Sequence, residues 1–201
     1  MPSDLRKFSP AVKKNQRFIL ETLKLVFPSK GQVLEIASGT GEHASFFAPA
    51  LGDIHWQPSE YDIENLASID AHAAMTEAHS VRPAIHLDVT MDPWPIDQVD
   101  AVFNSNMVHI SPWFVTESLM KGVGQKLKSG GVMAMYGPYI RKGFPTAPSN
   151  EAFDQSLRSR NKQWGIRDLD DVIASAKANG LLFDNLVEMP ANNYCVIYKK
   201  L

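Results

Sequence analysis

Strand-like and helix-like segments alternate along this chain. They predict an α/β fold: a seven-stranded, mostly parallel sheet with helices on both faces. Three observations carry the expectation. Short apolar runs recur between segments of helical period; a turn of small residues directly follows the first run; and the last two runs are joined by PANN alone, which predicts an antiparallel hairpin at the C-terminus. A length of 201 residues suits one domain, taken as residues 1–201.

The elements follow in order. Ser9 and Pro10 open a helix over 10–27, proline being suited to a first helical position, and Val12, Ile19, Leu20, Leu23 and Phe27 mark its apolar face. Val33 to Ile36 is the first strand, followed by the small-residue turn and a helix through Phe46, Phe47 and Leu51. IHWQPSE is the second strand, residues 62–80 a helix, AIHLDV the third strand, DPWP a turn and VDAVFNSN the fourth strand. Ser111-Pro112 caps a helix carrying Val115, Leu119 and Val123; Lys128 to Gly131 turns into VMAMYGPY, the fifth strand. Residues of about 139–166 break the pattern with proline, glycine, asparagine and arginine, and read as an insert over a site, with a short helix near Glu151 to Arg160. Asp168 caps a last helix that ends at Gly180, before LLFDNLVEM and NYCVIYKK.

Composition narrows the function. A net charge of −2 gives no general attraction to nucleic acid or to an anionic membrane. Cys195 is a lone cysteine and supplies neither a disulfide nor a zinc cluster. His43, His55, His72, His79 and His86 show no metal-ligand spacing, so no metal is expected. No run approaches a membrane span of about 20 apolar residues, and no signal peptide is read at the N-terminus, which makes the cytoplasm the expected location.

In a parallel sheet, ligands sit beyond the carboxyl ends of the strands, here near Ala37, Glu60, Asp88 and Asn104. Gly39 and Gly41 permit close approach of a ligand to backbone, and the helix starting near Glu42 directs its N-terminus at the same spot. Gly39 to Ala44 fits the relaxed dinucleotide pattern GxGxxA, and no Gly-Lys-Ser/Thr follows, so a Walker A loop is excluded. Glu35, just before the turn, sits awkwardly beside a pyrophosphate and suits a ligand with a positive amine, as in S-adenosylmethionine. Glu60, about 20 residues beyond Gly41, is placed to accept from ribose hydroxyls. Asp62 competes for that role but reads as a helix cap. Asp88 is either an acceptor for an adenine amino group or a turn residue before Thr90.

The stretches KKNQRFIL, VLEIASGTGEH, WQPSE, LDVTMDPWP, NSNMVHISPW, SGGVMAMYGPY, PSNEAFDQSLRSRNKQWGIRD and MPANN resemble a class I S-adenosylmethionine-dependent methyltransferase. More narrowly, they resemble the methyltransferase-like protein 26 family, almost from end to end. Two positions depart from the pattern: Ala37 stands where the class usually has its first glycine, and Lys14 replaces a glutamate while Asn15 is kept. The resemblance implies a Rossmann-like class I methyltransferase fold and S-adenosyl-L-methionine as cofactor, with S-adenosyl-L-homocysteine as product. The cofactor set is then Asn15, Glu35, Ala37, Ser38, Gly39, Gly41, His43, Glu60, Asp88, Val89 and Asn104.

Methyl transfer from a sulfonium needs placement first and a base only for a protonated nucleophile. His109 after the fourth strand and Tyr136 at the end of the fifth are the catalytic candidates; the plain alternative for His109 is a bond to a backbone carbonyl, and the Tyr136 phenol either bonds a small substrate or serves as a base if shifted. Substrate candidates are Asn106, Trp113, Tyr139, Asn150, Arg160, Trp164, Arg167 and Asn193. Arginine and aromatic groups together suit a small flat or anionic molecule, while the plain alternatives are a solvated helix, a packed tryptophan and a turn at Asn192-Asn193. The expected protein is a small-molecule methyltransferase, monomeric or homodimeric, without nucleic-acid or membrane partners. A nicotinamide-dependent oxidoreductase and a non-catalytic binding module of the same fold are the alternatives. Glu35 and the closing hairpin count against the first of these.

Overall fold

A computed structural model describes residues 4–76 and 80–201. Among them, seven strands form one sheet in the order β3-β2-β1-β4-β5-β7-β6. These are β1 (Lys30–Ile36), β2 (Asp53–Glu60), β3 (Ile85–His86), β4 (Val99–Ser105), β5 (Leu127–Gly137), β6 (Leu181–Met189) and β7 (Asn193–Lys200). The first five pair in parallel, and β7 runs antiparallel to both β5 and β6. Mixed pairing at one edge and parallel pairing elsewhere match the expected fold class.

The helices are α1 (Pro10–Val26), α2 (Glu42–Phe47), α3 (Ile63–Ala73), α4 (Trp113–Lys126), α5 (Pro148–Arg160) and α6 (Leu169–Ala178). The strands feed both faces of the sheet by simple alternation. Val33, Ala101, Phe103, Val132 and Ala134 pack with Ile19 and Leu23 of α1 and Phe47 of α2. Leu34, Val102, Met133 and Met135 pack with Leu119 and Val123 of α4 and Val172 of α6. A period of two, with both faces buried, is what a parallel sheet sandwiched by helices requires. Cys195 is fully buried on the first of these faces, where burial pushes its thiol up to about 12.

Several boundaries differ from the sequence expectation, each for a physical reason. The third strand is only Ile85–His86, because Pro83 precedes it and Asp88 turns the chain by accepting from the N–H and hydroxyl of Thr90. The fifth begins at Leu127: Gly130, at φ 78, absorbs a register shift that reads as a turn in sequence. Ser9 stands at the N-cap of α1, with Pro10 next, but its hydroxyl makes no capping bond; the N-cap of α4 is Pro112, and the Ser111 hydroxyl donates to Met107 O instead. Asp62 and Asp168 do cap, accepting from Glu64 N and Asp170 N. The helix expected over 62–80 ends at Ala73, and its last part, with His79, lies outside the described residues.

Candidate functional site

The turn after β1 is stitched to the end of β2. The Ser38 N–H donates to Ser59 O at 2.9 Å, and the Gly39 N–H donates to Glu60 Oε2 at 2.7 Å. The second Glu60 oxygen accepts from the N–H groups of Tyr61 and Asp62 at 2.8 and 3.1 Å. Ala37 takes a left-handed φ of 56, a conformation that costs a residue with a Cβ roughly 1–2 kcal/mol. The two glycines serve different ends. A Cβ on Gly39 would meet nothing within 4 Å, so this position leaves room for a ligand. A Cβ on Gly41 would lie 2.6 Å from Ile69 Cα, so its smallness lets α2 approach α3.

Two expectations at this turn are revised. Glu42, the first residue of α2, ties the turn to the start of α1: its Oε2 accepts from Ser9 N at 2.6 Å and from the Thr40 hydroxyl at 2.8 Å. Glu35 does not open onto a ligand. It is 2 % exposed, accepts from Ser38 Oγ and Trp56 Nε1 at 3.0 Å each, and burial pushes its carboxyl up to about 7. It braces the turn from inside the core. His43 is likewise buried, stacked on Phe47 with ring centroids 5.0 Å apart and with Nε2 2.9 Å from Asn15 Oδ1; burial holds it down at about 3.

A cavity of about 500 Å³ opens at the ends of β1, β2 and β3, bringing together Ala37, Glu60, Asp88 and Val89. Ile36 and Leu87 add apolar floor, and Ile110, Phe114 and Val115 form the opposite wall. Trp164, expected near a substrate, joins this cavity. Asp88 lines the cavity while one oxygen holds Thr90, as expected of a turn residue. At the neighbouring end of β4, Asn104 donates to Ile36 O at 2.9 Å, and its own Oδ1, fully buried, has no partner. A buried acceptor without a donor is costly unless a ligand supplies one.

A second cavity, of about 380 Å³, adjoins across Asn106 and Met107. It gathers Asn15, Asn106, Tyr136, Asn150 and Asn193 from α1, the ends of β4 and β5, α5 and the hairpin. Asn106 sits in the left-handed region at φ 60, and its N–H donates to Tyr136 O at 2.8 Å. The Tyr136 phenol is raised by burial, an effect opposed by the Asn15 amide beside it. Sequence reasoning missed Ala11, Lys14 and Phe18 as lining residues. With Asn15 they fall at i, i+3, i+4 and i+7, one face of α1, so their spacing was the available signal.

The remaining candidates lie elsewhere. His109 is sealed from solvent: its Nδ1 accepts from Arg167 N at 3.3 Å, its ring packs edge-on against Tyr139 with centroids 5.0 Å apart, and its Nε2 has no partner. Burial, helped by the nearby Arg167 charge, holds it at about 3, so it stays neutral and offers no open base. Arg167 donates to Val108 O and Gln163 O at 2.9 Å each and stands 5.8 Å over Trp113, clamping the segment after β4 to the loop before α6. Tyr139 is buried in the core with an unpartnered hydroxyl, and burial raises it well above its usual range. Arg160 is exposed, 5.5 Å over the Trp164 ring. These arginines and aromatics fasten the insert down; they do not line the second cavity. Among the described residues, no group of three or more His, Cys, Asp or Glu side chains could hold a metal ion.

A profile of the family described as "protein of unknown function (DUF938)" matches residues 6–200, and the chain belongs to that family. Its fold is shared with solved methyltransferases. It is similar to human N-acetylserotonin methyltransferase in complex with SAM (TM-score 0.78, 13% identity, 94% of this chain and 52% of that one). It is similar to an O-methyltransferase family 2 protein from Planctomyces limnophilus in complex with apigenin (TM-score 0.76, 15% identity, 92% and 62%). A third likeness is to the S-adenosylmethionine-dependent methyltransferase SibL (TM-score 0.78, 15% identity, 94% and 55%). The chain thus spans little more than half the length of these structures, and the likeness establishes the Rossmann-like methyltransferase fold.

Proposed function

We propose that this protein is an S-adenosylmethionine-dependent methyltransferase acting on a small molecule. One observation carries the reading: the strand-end cavity sets the acids Glu60 and Asp88 among apolar walls, and the partnerless buried Asn104 Oδ1 lies at the end of the neighbouring strand β4. These residues fit the cofactor. Glu60 would receive the sugar hydroxyls, Asp88 the adenine amino group, and Ile36, Leu87 and Val89 the base; Asn104 Oδ1 would accept from the ammonium. The open side of Gly39 admits the amino-acid part against the backbone, and Ala37 and Ser38 complete the turn.

When bound, the sulfonium supplies an already activated methyl group. The chain's own part is to hold a nucleophile in line and to exclude water. Tyr136 stays protonated at neutral pH, since burial raises it, and so acts as a donor rather than a base. With His109 sealed, acceleration rests on placement. The antiparallel edge of the sheet and the likeness to methyltransferases favour this reading over nicotinamide chemistry. The resemblance of the insert and of MPANN to the methyltransferase-like protein 26 family belongs with it. So do a single domain over 1–201, a lid formed by about 139–166, a cytoplasmic location, a monomer or homodimer, and no nucleic-acid or membrane partner.

Isothermal titration with S-adenosylhomocysteine and with NAD tests the reading. Binding of the first alone is expected; binding of NAD alone overturns it. Release of labelled S-adenosylhomocysteine over a metabolite collection is expected as well, and its absence in a protein that binds the cofactor would leave a binding module.

A further inference from the structure

The second cavity has a polarity of its own. Its α1 and β5 side presents donors. Neutral His43 meets Asn15 Oδ1 through Nε2, which places the imidazole proton on that nitrogen and uses the Asn15 carbonyl. Only the amide N–H groups of Asn15 remain, beside the Tyr136 phenol, with Lys14 on the same helix face. The opposite side presents acceptors. Asn150 commits an N–H to Asn192 O at 2.9 Å, and Asn193 commits its amide nitrogen to Pro190 O and Ala191 O at 3.3 and 3.1 Å, so their Oδ1 atoms are left over. Phe18 on α1 and Phe153 on α5 supply the apolar walls. Among the described residues no acidic side chain lines the cavity, so an ammonium group would find no counter-charge. The volume, about 380 Å³, lies near the small end of ligand pockets.

Resting on the methyltransferase reading, we propose that this cavity takes a small, flat, neutral or anionic ring compound. A hydrogen-bond-accepting oxygen of the ligand faces Lys14, Asn15 and Tyr136, and a donor on its far side faces Asn150 and Asn193. Tyr136 is then the group that orients the substrate. The neutral donor and acceptor ends set the specificity, and an amine of the same size is rejected by desolvation without a partner.

Ligand-observed NMR on the full chain, with and without S-adenosylhomocysteine, tests this with probes of matched size. These are 4-hydroxybenzoate, its methyl ester and 4-hydroxybenzylamine. The acid and the ester are expected to bind at least tenfold more tightly than the amine. Tyr136→Phe is expected to weaken the acid about tenfold while S-adenosylhomocysteine affinity stays unchanged. Asn15→Asp is expected to invert the order and admit the amine. Equal or tighter binding of the amine by the natural chain overturns the inference, and so does binding of none of the three. Failure of S-adenosylhomocysteine to bind would instead remove the methyltransferase reading, while the probes still report on the cavity.

Discussion

The cavity at the ends of β1, β2 and β3 is shaped by backbone that the chain fixes against itself. The cavity beneath α1 and α5 is shaped by side chains from segments far apart in sequence. In the first, the N–H groups of Ser38 and Gly39 are held by β2, and Glu60 ties the turn to the start of α3. In the second, Asn15, Asn106, Tyr136, Asn150 and Asn193 meet only because the sheet places β4 beside β5 and the hairpin returns next to α5. A constant partner calls for the first kind of construction. A variable one can be accommodated by changing side chains in the second without disturbing the turn.

The sharpest break between the two roles lies within the turn itself. Gly41→Ala puts a Cβ 2.6 Å from Ile69 Cα at a φ of 92, and a loss of about 3 kcal/mol or more is expected in urea unfolding. Glu35→Gln comes next. The Glu35 carboxyl is raised from 4.5 to about 7, so its contribution to stability is complete below about 4.5 and is lost as pH rises through 7. The variant should gain on the natural chain by on the order of 3 kcal/mol at pH 8, and the gap should close by pH 4.5. His43 and His109, both held at about 3, act in the opposite sense: their contribution is present above about 6.5 and is lost as pH falls towards 3. Denaturation midpoints across pH 4–8 would separate the two effects.

Gly39→Val sharpens the comparison further. Its Cβ meets nothing, so stability should fall by only about 1–2 kcal/mol from the positive φ, while S-adenosylhomocysteine titration should show loss of binding by a hundredfold or more. Equal damage to both quantities would merge the roles of Gly39 and Gly41. Smallest of all, Ala37→Gly relieves the left-handed φ of 56 and should raise stability by about 0.5–1 kcal/mol, visible as a rise in Tm with cofactor affinity intact.

Sequence patterning conveyed the sheet, its order of helices and the strand-end cavity, because those depend on local periodicity and on residues next to strand ends. Glu60, Asp88 and Ala37 were legible for that reason. Glu35 was misread because distance along the chain does not say on which face of β1 a carboxylate lies; the Trp56 indole on β2 donates to it within the core. His109 and Arg167 were misread because their residue types suit chemistry, while their partners, a backbone N–H and carbonyls, carry no signature in sequence. The Lys14 and Phe18 contribution was readable from the spacing on α1, on the face beside the apolar one marked by Val12, Ile19, Leu20, Leu23 and Phe27.

Glu60 engages Gly39, Tyr61 and Asp62 at once, so the chain's own groups hold the loop in shape. On the proposed reading, capture of the nucleoside would demand little ordering of the chain: association should be fast, its entropic penalty small, and amide exchange at residues 38–41 nearly the same before and after saturation. A receptor that is already set when its guest arrives can sort molecules by fit alone.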